Sequence, residues 1–341
     1  MGNAMSVTQH QIAKELGVSQ RTVSVAFAGG GRINPETRDR ILAAAAALGY
    51  RPNAAARAIR KGRFNAIGLL SSIRINEAAI HPLAMWAVQQ EMARREMHLV
   101  MSPIPDLKLL ESGGTPQILR QWSVDGILVS YTYNAPQPLV GVLEHHRVPA
   151  VWVNTRLSHD CIHLDDHGAG RACAQRLIDA GHRRIAYVSF RERNSHYSAA
   201  DREQGYRDAL AAAGLTPQVF VPPPGRQRDH SHLPQVTDWL RDTDQRPTAV
   251  VTYEENEAAM LLLAAARLGV AVPDELSLCA VRSSSVPVVG VHLSGMELRH
   301  FTMGERSVQL LAQKIDQPLR RLAPVVVRPE TVEGATVAPP R

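Results

Sequence analysis

The sequence predicts a small all-α head followed by a larger α/β body with parallel sheets, and three observations carry that expectation. Basic charge is concentrated at one end of the chain. Three short helical patterns with cap and turn residues fill the first fifty or so positions. Beyond them, short apolar runs alternate with helical stretches for roughly two hundred residues. The length, 341 residues, suits two or three domains, and 45% hydrophobic with 21% charged residues is an ordinary globular composition.

Residues 1–63 hold ten Lys/Arg and only Glu15, Glu36 and Asp39 as acids, a net of +7. The remaining residues carry 28 basic and 29 acidic side chains, a net of −1, so the chain's +6 belongs to its first fifth. A compact basic head on a neutral body is the electrostatic footprint of nucleic-acid binding.

Within the head, Thr8 is an expected N-cap, with Gln11 three residues on completing a capping box. The run Gln9–Leu16 turns Ile12, Ala13 and Leu16 to one face, and Gly17 supplies a left-handed stop. Ser19 caps a second helix from Gln20 to about Phe27, with Val23 and Phe27 inward and Gly29-Gly30-Gly31 ending it. Asn34-Pro35-Glu36 opens a third, with proline at the first helical position. It carries Ile41, Leu42, Ala45 and Leu48 and ends at Gly49. Two short helices around a glycine turn, braced by a third, make a helix-turn-helix.

In the body, strands are expected at 66–70, 99–102, 126–130, 149–153, 162–164, 185–189, 249–252 and 277–281. Helices are expected at 83–95, 168–180, 202–213 and 257–268. Such alternation means βαβ units and parallel sheets covered on both faces. No leucine heptad closes the chain, so no tetramer-forming coiled coil is expected.

Three head segments, Gln11-Ile-Ala-Lys-Glu-Leu-Gly-Val-Ser-Gln-Arg-Thr-Val-Ser24, Ile33-Asn-Pro-Glu-Thr-Arg-Asp-Arg-Ile41 and Leu48-Gly-Tyr-Arg-Pro-Asn53-Ala-Ala-Ala-Arg57, resemble the head of LacI-family bacterial regulators. Val124-Asp-Gly-Ile-Leu128, Gly181-His-Arg-Arg-Ile-Ala-Tyr187, Arg202-Glu-Gln-Gly-Tyr206 and Val272-Pro-Asp-Glu-Leu-Ser277 resemble that family's sensor. The resemblance implies a helix-turn-helix DNA-binding domain at 1–50, a hinge helix or linker at 51–63, and a two-lobed, periplasmic-binding-protein-like (type I) effector-binding and dimerisation domain at 64–341. It further implies a sequence-specific regulator, a repressor rather than an activator. Such a protein binds a near-palindromic, double-stranded operator as a homodimer under control of a small-molecule effector, a sugar or sugar-derived anion.

The chemistry suits those roles. Gln20 and Arg21, at the start of the second helix, can reach base edges, Arg forking onto guanine and Gln onto adenine. Ser19, Thr22 and Ser24 are placed for phosphate contacts, which fix register rather than sequence. Where many members carry arginine, Val25 offers an apolar surface to a thymine methyl. Asn53 opens the linker. The resemblance gives Ile59 the role of a minor-groove wedge flanked by Arg57 and Arg60; the alternative is an ordinary alanine-rich linker with Ile59 packed on the body. Effector candidates, by position near strand ends, are Asn76, Asn154, Asp166, Arg202, Glu254 and Arg282. Two departures from the family pattern stand out: its Ala-Asn-Asp-like motif reads Tyr253-Glu254-Glu255, and Arg282 replaces an aspartate. Either Arg202 and Arg282 clamp an anionic effector, or Arg282 pairs with Glu254 or Glu255 and the pocket is altered.

Other chemistries find little footing. Cys161, Cys173 and Cys279 form no CxxC pair, and Cys161, His163, Asp165, Asp166 and His167 alternate across a strand and loop rather than converging, so no metal is expected. No dinucleotide fingerprint, phosphate loop or nucleophile elbow is present, and neither catalytic residues nor a cofactor are expected. No apolar run reaches the roughly 18 residues needed to span a bilayer, and Met1–Ser6 lacks a secretory profile. No membrane partner and a cytoplasmic location follow as expectations.

Overall fold

The computed structural model describes residues 7–28, 33–51, 62–72, 80–104, 123–131, 137–191, 196–222, 232–243 and 246–341. The chain divides into two compact units, Met1–Phe64 and Asn65–Arg341.

The first unit contains α1 (Gln9–Leu16), α2 (Gln20–Ala28) and α3 (Pro35–Ala47). The capping box at α1 is formed: the Thr8 N–H donates to Gln11 Oε1 at 2.7 Å, and the Gln11 N–H donates to Thr8 Oγ1. Gly17 closes the helix at φ +65°, a conformation costly for any residue with a Cβ. At the next helix Ser19 Oγ accepts from the Thr22 N–H at 3.0 Å, and at α3 Asn34 Oδ1 accepts from Glu36 behind Pro35. Ile12, Ala13, Val23, Ala26, Ile41 and Ala45 form the buried core, with Phe27 and Tyr50 against it at 5.1 Å between ring centroids. Leu42 departs from expectation and is exposed. The stripe runs through Ile41, Ala45 and Leu48, and a residue one step off it points about 100° away.

The second unit is two-lobed. The first lobe's sheet runs β2 (His98–Ile104), β1 (Ala66–Ser72), β3 (Gly126–Ser130), β4 (Ala150–Val153), β5 (Cys161–Leu164), β11 (Val325–Val327), parallel throughout. The second lobe's sheet runs β7 (Gln218–Phe220), β6 (Ile185–Val188), β8 (Ala249–Thr252), β9 (Ser277–Arg282), β10 (Ser294–Glu297), β12 (Glu330–Val332), parallel except for β12. The central strands β3, β4, β6, β8 and β9 are buried along their whole length, as strands covered on both faces must be.

Helices α4 (Pro82–Arg94), α5 (Gln137–His145) and α10 (His300–Asp316) accompany the first sheet, and α6 (Asp166–Asp179), α7 (Tyr197–Ala212), α8 (Leu233–Arg241) and α9 (Glu255–Leu268) the second. The chain crosses between lobes three times: after β5, after β10 and between β11 and β12.

Helices α6 and α7 lie unusually close. A Cβ at Gly170 would sit 2.1 Å from the Arg202 carbonyl oxygen, and one at Gly205 would sit 2.0 Å from that of His167. Gly170→Ala must therefore push the helices apart, and overpacking of this kind costs ~1–3 kcal/mol. A fall of several degrees in Tm is expected. Gly141→Ala on α5, where a Cβ meets nothing within 4 Å, is expected to leave Tm unchanged or slightly raised.

Candidate DNA-reading face and effector cleft

On α2, burial of Val23 and Ala26 turns the opposite side outward. Ser19, Gln20 and Arg21 are exposed, and Thr22, Ser24 and Val25 half-buried. Gln20, Arg21, Ser24 and Val25 sit at successive i, i+1, i+4 and i+5 positions, one continuous helix face. The Thr22 hydroxyl lies 2.8 Å from that of Ser19, so the cap and its neighbour are already mutually oriented. Asn53, Arg57, Ile59 and Arg60 of the linker lie outside the described residues, as does Asn76.

Four of the remaining effector candidates stand just beyond strand ends or on the helix beside them. Asn154 follows β4 and Asp166 opens α6 after β5; Glu254 precedes α9 after β8, and Arg202 lies on α7. Arg202 is almost completely buried. Its Nε donates to Asp166 Oδ1 at 2.7 Å and its Nη1 to the Tyr253 carbonyl at 2.6 Å, while the guanidinium lies 4.2 Å from the Tyr253 ring centroid. Glu254 approaches to 3.6 Å on one side and reaches Arg191 at 3.8 Å on the other. Burial opposes the Arg202 charge, but Tyr253, Asp166 and Glu254 more than offset it and hold the group firmly protonated. Asp166 Oδ2 is buried with no hydrogen-bond donor among the described residues.

Asn154 adopts φ +55°, a left-handed conformation that asparagine tolerates better than most residues. Its Oδ1 accepts from the Tyr197 hydroxyl at 3.0 Å, and its carbonyl lies 3.1 Å from His196 Nε2. His196 and Tyr197, at the start of α7, thereby link Asn154 to the Arg202 helix. No periodicity marks them in the sequence.

Nearby, His81 and His300 stack with centroids 3.8 Å apart. Burial lowers both imidazoles, His300 to about 3, and the neighbouring His81 and Arg202 push His300 the same way. Both imidazoles are thus biased towards the neutral form. Glu257, in the first turn of α9, accepts from the Phe190 and Glu254 N–H groups. Burial raises its carboxyl to about 7, with repulsion from Glu254 adding to the shift.

Arg282 does not join this group. Its Nη1 donates to the Leu293 carbonyl at 2.8 Å and its Nη2 to that of Val286 at 3.3 Å. The two-arginine anion clamp considered from the sequence is not assembled. Nor is Arg282 paired with Glu254 or Glu255 among the described residues; Glu255 Oε1 instead accepts from the Ser283 and Ser284 N–H groups. The cause is the chain's own path after β9, which offers Arg282 carbonyl oxygens inside its lobe. Among the described residues no His/Cys/Asp/Glu group is arranged to hold a metal, and the three cysteines are buried and free.

Asp166→Ala would leave the buried Arg202 charge with Glu254, 3.6 Å away, as its remaining carboxylate, at a cost of up to ~3–5 kcal/mol. The same loss at an exposed pair, Arg241→Ala opposite Asp238, is expected to cost under about 1 kcal/mol; denaturant unfolding compares the two. A second expectation concerns pH. The folded Glu257 carboxyl titrates at about 7 against an ordinary 4.5, so it holds its proton where the unfolded chain has released it. Its contribution to stability is present below about pH 4.5 and is lost as pH rises towards 7. Glu257→Gln should flatten the stability–pH slope across that window.

Comparison with known proteins agrees with this arrangement. The family signature described as "Bacterial regulatory proteins, lacI family" matches residues 8–53, and that of the "Periplasmic binding protein-like domain" matches residues 174–337. The ribose operon repressor of Haemophilus influenzae is 27% identical over 335 residues, covering 95% of this chain and 97% of the relative. A crystal structure of the lac repressor dimer bound to operator and the anti-inducer ONPF superposes with TM-score 0.81 at 20% identity, covering 98% and 99% of the two chains. A complex of the regulator CelR with cellobiose gives TM-score 0.64 at 22% identity, covering 97% and 99%. A helix-turn-helix head thus matches the lacI-family signature and a two-lobed α/β unit matches the periplasmic-binding-protein-like one, so that the chain is similar over both units to LacI-family bacterial transcription regulators.

Proposed function

We propose that this protein is an effector-controlled repressor that binds a near-palindromic operator as a homodimer. The observation that carries the reading is the outward face of α2. Gln20, Arg21, Ser24 and Val25 lie together there, on a head of net charge +7. Gln20 and Arg21 read base edges, Ser19, Thr22 and Ser24 hold phosphates, and Val25 meets a thymine methyl. Asn53, Arg57, Ile59 and Arg60 act with them at the centre of the site.

A two-fold operator calls for a two-fold protein. An apolar groove of about 290 Å³, lined by Leu262, Leu263, Ala266, Val270, Val289 and Val291, supports self-association, with Val286 and Val289 exposed beside it. A second copy meets this face.

The effector is a small polar molecule, sugar-like in its hydroxyls, received by Asn154, Asp166, Arg202 and Glu254. Arg202 is already committed to Asp166 and Tyr253, which favours hydroxyl recognition over an anion clamp. The effector acts by preferring one lobe arrangement, and its influence on DNA binding cannot exceed that preference. The protein binds and releases it unchanged rather than turning it over, and works in the cytoplasm where operators lie. No helix among the described residues is long and apolar enough to cross a membrane.

The test is selection of the full-length protein on randomised duplexes, followed by a salt titration on the enriched sequence. A near-palindrome is expected, with affinity falling by orders of magnitude between low and physiological salt. Arg21→Ala should cost ~1–3 kcal/mol and relax preference at one symmetric pair of positions. A flat selection, with and without sugars, overturns the reading.

A further inference from the structure

We propose that Arg282 is a positioning residue, joining the effector cleft to the face that receives a second copy of the chain. The inference deepens the homodimer reading above and rests on it.

Arg282 is 1% exposed, yet no carboxylate is paired with it among the described residues. A buried guanidinium is retained only where its hydrogen bonds are needed. Its two terminal nitrogens hold the carbonyls of Val286, inside the loop that follows β9, and of Leu293, at the end of that loop. Its Nε has no hydrogen-bond partner among the described residues. A donor left unsatisfied in a buried place indicates that the side chain is set by the loop rather than by its strand neighbours.

The clamped loop ends in a tight turn. Val288 and Val291 exchange N–H···O bonds of 2.9 Å in both directions, and Val289 and Gly290 between them adopt φ +50° and +77°. Glycine accepts such a backbone; a β-branched valine does not do so freely. Val289 nevertheless occupies the strained position and leaves 61% of itself exposed, with Val286 at 67%. Strain retained at an exposed apolar tip marks a side chain held out for contact. Val289 and Val291 also line the groove against α9.

The root of the same loop reaches the cleft. The Ser283 and Ser284 N–H groups both donate to Glu255 Oε1, the latter at 3.1 Å, and Glu255 opens α9 next to Glu254, which faces Arg202. One loop is therefore gripped from the cleft by Glu255 and from within the lobe by Arg282, and it presents its valines to the partner. Loosening either grip relaxes the valine tip and weakens the dimer.

The experiment is a dilution series of the full-length protein by sedimentation velocity, with thermal unfolding as a check on the fold. Arg282→Met keeps length and apolar volume and removes both donors. It is expected to weaken dimerisation at least tenfold while cooperative unfolding persists. Arg282→Lys, which can hold one carbonyl but not both, should fall between it and the wild type. That graded rescue separates positioning from bulk. Val289→Asp, with Arg282 intact, sets the value for a broken face. A wild-type dimer constant in Arg282→Met overturns the proposal. If that variant fails to unfold cooperatively, Glu255→Ala decides: several-fold weakening supports the joint, and unchanged dimerisation overturns it. A wild-type protein that stays monomeric at every concentration overturns the homodimer reading itself, a failure distinct from that of the joint.

Discussion

Burying the Arg202 guanidinium is the constraint on which the second unit is organised. A charge in that position demands a carboxylate, a carbonyl and an aromatic face, and Asp166, the Tyr253 carbonyl and the Tyr253 ring provide them. Those partners come from two segments besides the helix that carries Arg202, so satisfying one side chain ties together the start of α6, the run of α7 and the exit of β8. The close approach of α6 and α7, possible only because Gly170 and Gly205 lack side chains, brings the donor within reach of its acceptor. Packing and electrostatics are here the same requirement seen from two sides.

The head follows a different logic. Its core is a handful of aliphatic residues, too few to hold three helices without well-formed ends, and each helix accordingly starts on a capping side chain. With the ends satisfied locally, the outward side of α2 presents Gln20 and Arg21 to solvent. Polar residues there can be chosen for what they touch outside the protein. The charge separation between head and body lets the head seek polyanions while the cleft stays electrically balanced around its own ion pairs.

What was legible in the sequence is what is encoded locally. The Thr8–Gln11 box, the Gly17 stop and the Asn34-Pro35 start are decided within four residues, and strands Gly126–Ser130 and Ala249–Thr252 are bounded by abrupt changes in hydrophobicity. Strands β11 and β12 are three residues each and pair with partners far away in the chain, so no local pattern announces them. In the cleft, the strand-end positions of Asn154, Asp166 and Glu254 could be read from topology. The direction of Arg282 could not, because it depends on where a loop eleven residues long presents its carbonyls. The stacked His81–His300 pair joins distant parts of the chain, and residue type alone gives no hint of it.

The three crossings between the lobes also govern how the protein comes into being. The first sheet needs β11 at Val325–Val327, and the second needs β12 at Glu330–Val332. Helix α10, packed beside the first sheet, is encoded after nearly all of the second. During synthesis neither lobe can be completed until almost the whole chain has left the ribosome, and each waits with an uncovered sheet edge until then. The head, whose helices are finished within the first fifty residues, carries no such delay. A ribosome bearing this chain therefore displays a folded, basic, DNA-seeking module well before the part that would restrain it exists.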